Sequence, residues 1–294
     1  MDSPSWDLLA DLQLLLRFHF MQNALIVGTL VAVLAGAVGY FVVLRGQSFA
    51  AHMLSQVGFP GAAAALLFHL PPVFGLAAFC TLGALGVGAL ARKVDAGQRF
   101  ESAVVGSILA FSLGLGLLFF RLYAGSAQAV YAFLFGTILG ISDRDVVATL
   151  ITSVICLAVL VVIARPLVFA SVDPDVAEAR GVRVQAISIV FLLLVALAVA
   201  VTVQIVGTLL IFALLVAPGA CALALTARPA RGLALTIAFS VLFTWLGLAI
   251  AYFTIYPVGF FITTAAFAAY VVIRVATAVT GGRRFRVGLS REAV

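Results

Sequence analysis

The sequence predicts an all-α, polytopic membrane protein with about nine transmembrane helices and one short re-entrant or interfacial helix. Hydrophobic residues make up 65% of the 294 residues, charged residues only 10%, and the mean hydropathy is +1.26. Apolar runs long enough for a helix to cross a bilayer recur along the whole chain. The composition therefore favours a single membrane domain without a second, soluble one.

The membrane crossings can be placed from these runs. We expect crossings at about 20–44, 50–69, 73–92, 101–120, 145–165, 185–203, 206–226, 231–253 and 258–279. Residues 127–140 are apolar but too short to span, so we expect a re-entrant or interfacial helix there. The predicted organisation is an extracytoplasmic segment at 1–19, a transmembrane domain at 20–279 and a basic cytoplasmic tail at 280–294.

The arginines predict how the chain is oriented in the membrane. If the charged stretch 171–183 is cytoplasmic, most arginines that flank the crossings are cytoplasmic too, and only Arg17, Arg121 and Arg144 lie outside. This asymmetry satisfies the positive-inside rule and places the N-terminus outside and the C-terminus inside. The net charge of +6 then indicates anionic lipid at one face rather than nucleic acid.

A polar island, SVDPDVAEARGVR at 171–183, interrupts the apolar runs. Asp173 is a favourable N-cap, Pro174 suits the first helical position and Gly181 is a natural stop, which predicts a short helix over about 173–181. Its carboxylates keep it out of the lipid, so we expect it on the membrane surface, facing a partner in the water. The alternative interpretation is an ordinary solvated loop.

None of the acidic residues falls in the middle of a predicted crossing. Carriers driven by protons or sodium usually hold a titratable carboxylate near the bilayer centre, and intramembrane aspartyl proteases need one. The sequence therefore indicates transport energised from elsewhere.

Ser48, His52 and Gln56 form a polar stripe at the start of the second crossing, where four-residue spacing puts them on one helix face. Imidazole and side-chain oxygen suit a divalent metal such as zinc or manganese, held weakly enough to leave again. The alternative for His52 is a hydrogen-bonded histidine at the interface.

Two prolines, Pro60 and Pro218, lie within predicted crossings, each followed by a glycine. They can mark kinks that free backbone carbonyls beside a pathway, or they can serve close helix packing.

Five motifs in order resemble the permeases of the ABC transporters that import zinc, manganese or iron. They are RGQSFAAHMLSQVGFPG at 45–61, ESAVVG at 101–106, FLFGTILGIS at 133–142, QIVGTLLIFALLVAPGA at 204–220 and PVG at 257–259, and AEARGV at 177–182 resembles the family's coupling helix. The resemblance covers most of the chain.

The resemblance implies a permease that works as a homodimer with a cytoplasmic ATP-binding-cassette ATPase and an extracytoplasmic substrate-binding protein. The chain would be no enzyme and bind no cofactor of its own, since its sequence lacks a P-loop and ATP would be used by the partner. Asp173, Asp175, Val176, Ala177, Glu178, Arg180 and Gly181 would couple to the ATPase, and Ser48, Pro60, Glu101, Thr137 and Pro218 would line the pathway. The location implied is a bacterial inner or plasma membrane.

The sequence departs from the family at the metal position. His52 and Gln56 stand where the family has an Asp and a His four residues apart, and Thr137 stands where an acidic or amide residue is frequent. Fewer negative charges would hold a bare dication less strongly. The alternatives are therefore an ABC permease for a metal chelate, haem or a vitamin, and a secondary carrier or a membrane scaffold that needs no ATPase.

Overall fold

The computed structural model describes residues 19–90, 97–123, 136, 140–254 and 256–279, and gives the backbone alone at 97–101 and 209. Every regular element in this part of the chain is a helix. In chain order they are α1 (His19–Leu44), α2 (Ser48–Leu67), α3 (Pro72–Leu90), α4 (Gly97–Leu122), α5 (Asp143–Val172), α6 (Pro174–Ala179), α7 (Val184–Val206), α8 (Thr208–Leu225), α9 (Pro229–Tyr252) and α10 (Val258–Val279). The all-α prediction is confirmed.

Seven of these helices are long and apolar enough to cross a membrane: α1, α3, α4, α5, α7, α9 and α10. The two remaining long helices are exceptions with visible causes. The polar stripe lowers the hydropathy of α2, and the apolar stretch of α8 that is fully described, Leu210–Leu225, is shorter than a membrane crossing. Each nevertheless lies where the sequence predicted a crossing.

Helix α1 occupies the centre of the bundle, with 72% of its most apolar stretch buried, against 17% for α4 and α10. Its glycines allow this position. A Cβ added at Gly36 would press on the Ile237 backbone of α9, and one at Gly39 would collide with the Leu215 carbonyl of α8. Small residues at such crossings let membrane helices approach closely.

Helices α2 and α3 meet through a pair of glycines. A Cβ at Gly61 would collide with the Gly75 carbonyl, and a Cβ at Gly75 would collide with the Gly61 carbonyl. The two backbones therefore touch with no side chain between them.

Contacts at the two ends of the bundle fix the directions of the helices. Asn23, near the start of α1, donates to Asp143 at the start of α5, with 2.8 Å between Nδ2 and Oδ1. Arg45, just after α1, reaches Ser171 near the end of α5 and Ser188 near the start of α7. Helices α1 and α5 thus run parallel, and α7 runs antiparallel to them. We call the end of the bundle that carries α6 the α6 end.

Helix α5 is longer than predicted. The sequence placed its end at 165, before Pro166, but the helix continues through that proline to Val172. Pro166 removes one backbone hydrogen bond. The extra residues, about two turns, are retained because Leu167 and Ala170 are buried against the rest of the bundle.

Several predictions fall on residues outside the described part of the chain. These are the segment 1–18, the tail 280–294 and most of the re-entrant helix at 127–140, of which only Gly136 and Gly140 are described. Gly136 has φ +76°, and a Cβ there would press on the backbone of Ile205 and Val206, close to Gly207, which separates α7 from α8.

Candidate translocation and coupling sites

The polar stripe lies on α2, inside the bundle. Helix α2 packs against α3, α4, α7 and α8, and Ser48, His52 and Gln56 are all half-buried. The fold therefore partly covers these three polar side chains with apolar helices. This is a costly place for a polar group unless something binds to it.

Of the three residues in the polar stripe, His52 has the most informative surroundings. Its ring lies against Phe212 of α8, with 4.6 Å between the ring centroids and 63° between the planes. Its Nδ1 atom is buried and has no hydrogen-bond partner among the described residues. A buried polar atom without a partner costs free energy, and an imidazole nitrogen is a common metal ligand. The position of Nδ1 therefore suits transient binding of a species such as a metal ion.

The described residues do not form a complete metal cage. No group of three or more His, Cys, Asp or Glu side chains among them lies close enough to hold a metal ion. Of the other predicted pathway residues, the Glu101 side chain and Thr137 lie outside the described residues. Of the predicted metal site, the described part of the chain thus shows His52 and Gln56, one turn apart on α2.

The two prolines lie at helix crossings. Pro60 packs beside Gly116 of α4, where an added Cβ would come 3.3 Å from the Pro60 ring. Pro218 precedes Gly219, which lies against the backbone of Gly39 in α1. The structure places the two prolines on different helix pairs rather than around one point.

The predicted coupling helix is present as α6. The Asp173 carboxylate accepts a hydrogen bond from the Val176 N–H at 3.0 Å, and Pro174 occupies the first turn. At the other end Gly181 adopts φ +84°, and its N–H donates to the Glu178 carbonyl at 2.8 Å. The Val182 N–H donates to the Ala177 carbonyl at 3.0 Å, which completes a Schellman motif.

Helix α6 exposes nearly all of its side chains. Asp173, Asp175, Glu178 and Arg180 are exposed, and Val176 is 44% exposed. Ala177 alone is fully buried, so it anchors the helix on the bundle and is not available to a partner. The backbone of this segment thus forms a capped helical turn rather than an irregular loop.

Sequence reasoning missed an open cavity of about 450 Å³ at the end of the bundle opposite α6. Polar side chains of α5 and α7 line part of it, namely Asp145, Thr149, Thr152 and Gln204. The capping box between Ser142 and Asp145 was readable in the sequence as a helix start. The approach of α7 was not, because it joins residues far apart in the chain.

The fold and these two sites define a multi-pass membrane transport protein. The family described as the ABC 3 transport family matches residues 17–277, and the chain belongs to this family. The resemblance found in the sequence is thereby confirmed.

Individual relatives agree with this family. The chain is 30% identical over 238 residues to the manganese transport system membrane protein MntC of Listeria monocytogenes, covering 81% of this chain and 84% of the relative. It is 33% identical over 207 residues to the manganese import system permease protein ScaB of Streptococcus parasanguinis, covering 70% and 72%. The solved structure of PsaBC from Streptococcus pneumoniae in complex with Fab superimposes with a TM-score of 0.79 at 28% identity, covering 90% and 94%.

Proposed function

We propose that this chain is the membrane-spanning permease of an ATP-binding-cassette importer that moves a divalent transition metal, zinc or manganese, into the cell. The observation that carries the proposal is the buried Nδ1 of His52 on the polar face of α2, which has no hydrogen-bond partner within the described ranges. Relatives named for manganese transport support the cargo class. Gln56, one turn further along the same face, supplies an amide oxygen.

In this proposal the cargo passes by alternating access. A separate cytoplasmic ATPase binds ATP, closes and displaces α6, and a displaced α6 shifts the bundle between outward-open and inward-open forms. His52 and Gln56 exchange ligands with the passing ion. Because both are neutral, they attract a dication less than a carboxylate would, which favours release.

The proposed assembly contains two copies of this chain, the ATPase and an extracytoplasmic substrate-binding protein. Exposed acidic and basic side chains on α6 offer the ATPase a polar docking surface. We place the α6 end in the cytoplasm of a bacterial cell, with the N-terminus outside and the C-terminus inside. The asymmetry of the arginines supports this orientation.

The test is metal uptake, measured by elemental analysis for zinc, manganese and iron, in cells that carry this permease together with its ATPase and binding protein. The intact chain should raise one metal. His52→Ala should lower uptake of that metal by roughly tenfold, since removing one good ligand interaction is worth one to two kcal/mol or more. Glu178→Arg combined with Gly181→Pro should abolish it.

Matched variants keep the test specific. His69→Asn changes a histidine at an exposed turn, where φ is +56° and asparagine is well tolerated, and it should leave uptake unchanged. If all three metals stay at the background level while the ATPase still binds the permease, the metal cargo is wrong.

A second cargo class is favoured by one observation: His52 and Gln56 occupy the two positions where the family has an Asp and a His, so neither position supplies a carboxylate. A metal chelate, haem or a vitamin carries its own ligands and needs less charge from the pathway. In the same cells, uptake of a chelated metal without uptake of the free ion would select this alternative.

A further inference from the structure

Arg45 joins three helix ends at the α6 end of the bundle. It follows the last residue of α1, and its Nη2 donates to Ser188 Oγ of α7 at 2.6 Å. Its Nη1 donates to Ser171 Oγ of α5 at 3.3 Å. Its guanidinium also lies over the Phe191 ring, 5.9 Å from the centroid.

The two serines are built to receive this guanidinium. The Ser188 hydroxyl donates to the Val184 carbonyl at 2.9 Å, and the Ser171 hydroxyl donates to the Leu167 carbonyl, so each oxygen keeps a lone pair for Arg45. Arg45 is half-buried, which limits competition from water. A planar guanidinium can donate from separate nitrogens in two directions and stack on a ring at once, whereas a lysine ammonium donates from a single nitrogen and does not stack.

The serines flank α6 on both sides. Ser171 lies two residues before Asp173, the N-cap of α6, and Ser188 lies in the first turns of α7, the next helix after α6. Helix α6 itself packs on α5 and α7. On the other side, Arg45 is three residues before Ser48, where α2 and its polar stripe begin.

We propose that Arg45 is a positioning residue that transmits the displacement of α6 to α2, so that nucleotide-driven movement reaches His52. This inference rests on the proposed function of the chain as an ABC permease. Movement of α6 carries the ends of α5 and α7 with it, and the guanidinium carries the turn at 45–47 with them. This route is short and consists of contacts present in the structure. Loss of the Arg45 contacts should therefore uncouple transport from ATP hydrolysis.

The test uses the full complex of permease, ATPase and binding protein in proteoliposomes, with ATP hydrolysis and Mn²⁺ or Zn²⁺ uptake measured on the same vesicles. Arg45→Ala should lower uptake by about tenfold while hydrolysis stays within about twofold of the intact complex, as for the loss of an allosteric coupling. Arg45→Lys should recover part of the uptake. Arg228→Ala, a change at another arginine at the α6 end, is the control and should alter neither quantity.

A double-mutant cycle links the effect to the contact. Ser188→Ala should act in the same direction as Arg45→Ala, and the double variant should be no worse than Arg45→Ala alone, because both remove one interaction. Additive losses would overturn the route through Ser188. Equal losses of hydrolysis and uptake, or failure of the ATPase to bind, would show that Arg45 serves only assembly.

A measurement without cargo separates this inference from the proposed function. Phe49→Cys places an exposed thiol in the first turn of α2, and its rate of labelling by a membrane-impermeant maleimide should change when ATP is added. Arg45→Ala should remove that change while hydrolysis continues. If the change persists in Arg45→Ala, or is absent from Phe49→Cys itself, the inference is overturned. If the change behaves as expected but no metal is taken up, only the cargo assignment fails.

Discussion

Helices α6 and α2 differ in what holds them in place. The six residues of α6 take their helical conformation from bonds within their own stretch of sequence, from the Asp173 cap to the Gly181 turn, and Ala177 anchors them on the bundle. Helix α2 has no side-chain cap at Gln47 and contains Pro60, and its position depends on what α3, α4 and α8 present to it. The difference teaches that the proposed docking element is defined locally, whereas the proposed pathway element is defined by tertiary packing.

The largest effect should come from disrupting the tertiary packing that positions α2. Gly75→Leu places a side chain where α3 touches the Gly61 carbonyl of α2, and overpacking at a backbone contact should cost about 3 kcal/mol or more. We expect a large drop in folded protein recovered from the membrane, measured by size-exclusion chromatography of a fluorescent fusion.

The matched control for that substitution is Gly114→Leu in α4. A Cβ at Gly114 meets nothing within 4 Å, so the same added volume should be tolerated there. Equal recovery of the two variants would mean that the α2–α3 contact is not a constraint on folding.

A smaller effect should come from disrupting the local bonds that form α6. Gly181→Val forces a β-branched residue into the left-handed region, at a cost of about 1–2 kcal/mol, and should fray the end of α6. Recovery from the membrane should be normal, while ATPase binding in a pull-down titration weakens. Gly181→Asn should bind nearly as well as the intact chain, because asparagine accepts this conformation. A loss of folded protein with Gly181→Val would contradict the local character of α6.

A still smaller effect should come from Asp173→Ala, which removes the N-cap of α6 at a cost of about 1 kcal/mol. Asp175→Ala removes only a favourable interaction with the helix dipole, about 0.3–1 kcal/mol, and serves as the comparison. Both can be measured as shifts in the ATPase titration. If Asp175→Ala weakens binding more than Asp173→Ala, surface charge rather than the helix end governs docking.

The local character of α6 explains why the sequence predicted it almost residue by residue. A cap, a first-turn proline and a final glycine act over neighbouring positions, so they are readable without a fold. The long helices were also predicted to within a few residues at most ends, because apolar runs of membrane length have few other outcomes. The end of α5 was missed, since burial of Leu167 and Ala170 extends the helix through Pro166.

Only part of the candidate site could be predicted from the sequence. His52 stood out because a histidine in an apolar run is expensive, and its four-residue spacing to Gln56 is a property of any helix. Its contact with Phe212 joins residues on different helices that only packing brings together. The partners of Arg45, Ser171 and Ser188, are equally remote in sequence, and no local pattern announces them.

The glycine contact between α2 and α3 also limits where the bundle can part. Because the backbones of α2 and α3 are in direct contact, with no side chains between them, we expect the two helices to move as one rigid unit. For the proposed pathway beside His52, we expect widening at the contact between α2 and α8, where the ring of Phe212 lies against His52. We expect the Phe212 side chain to move there while α2 and α3 stay in contact.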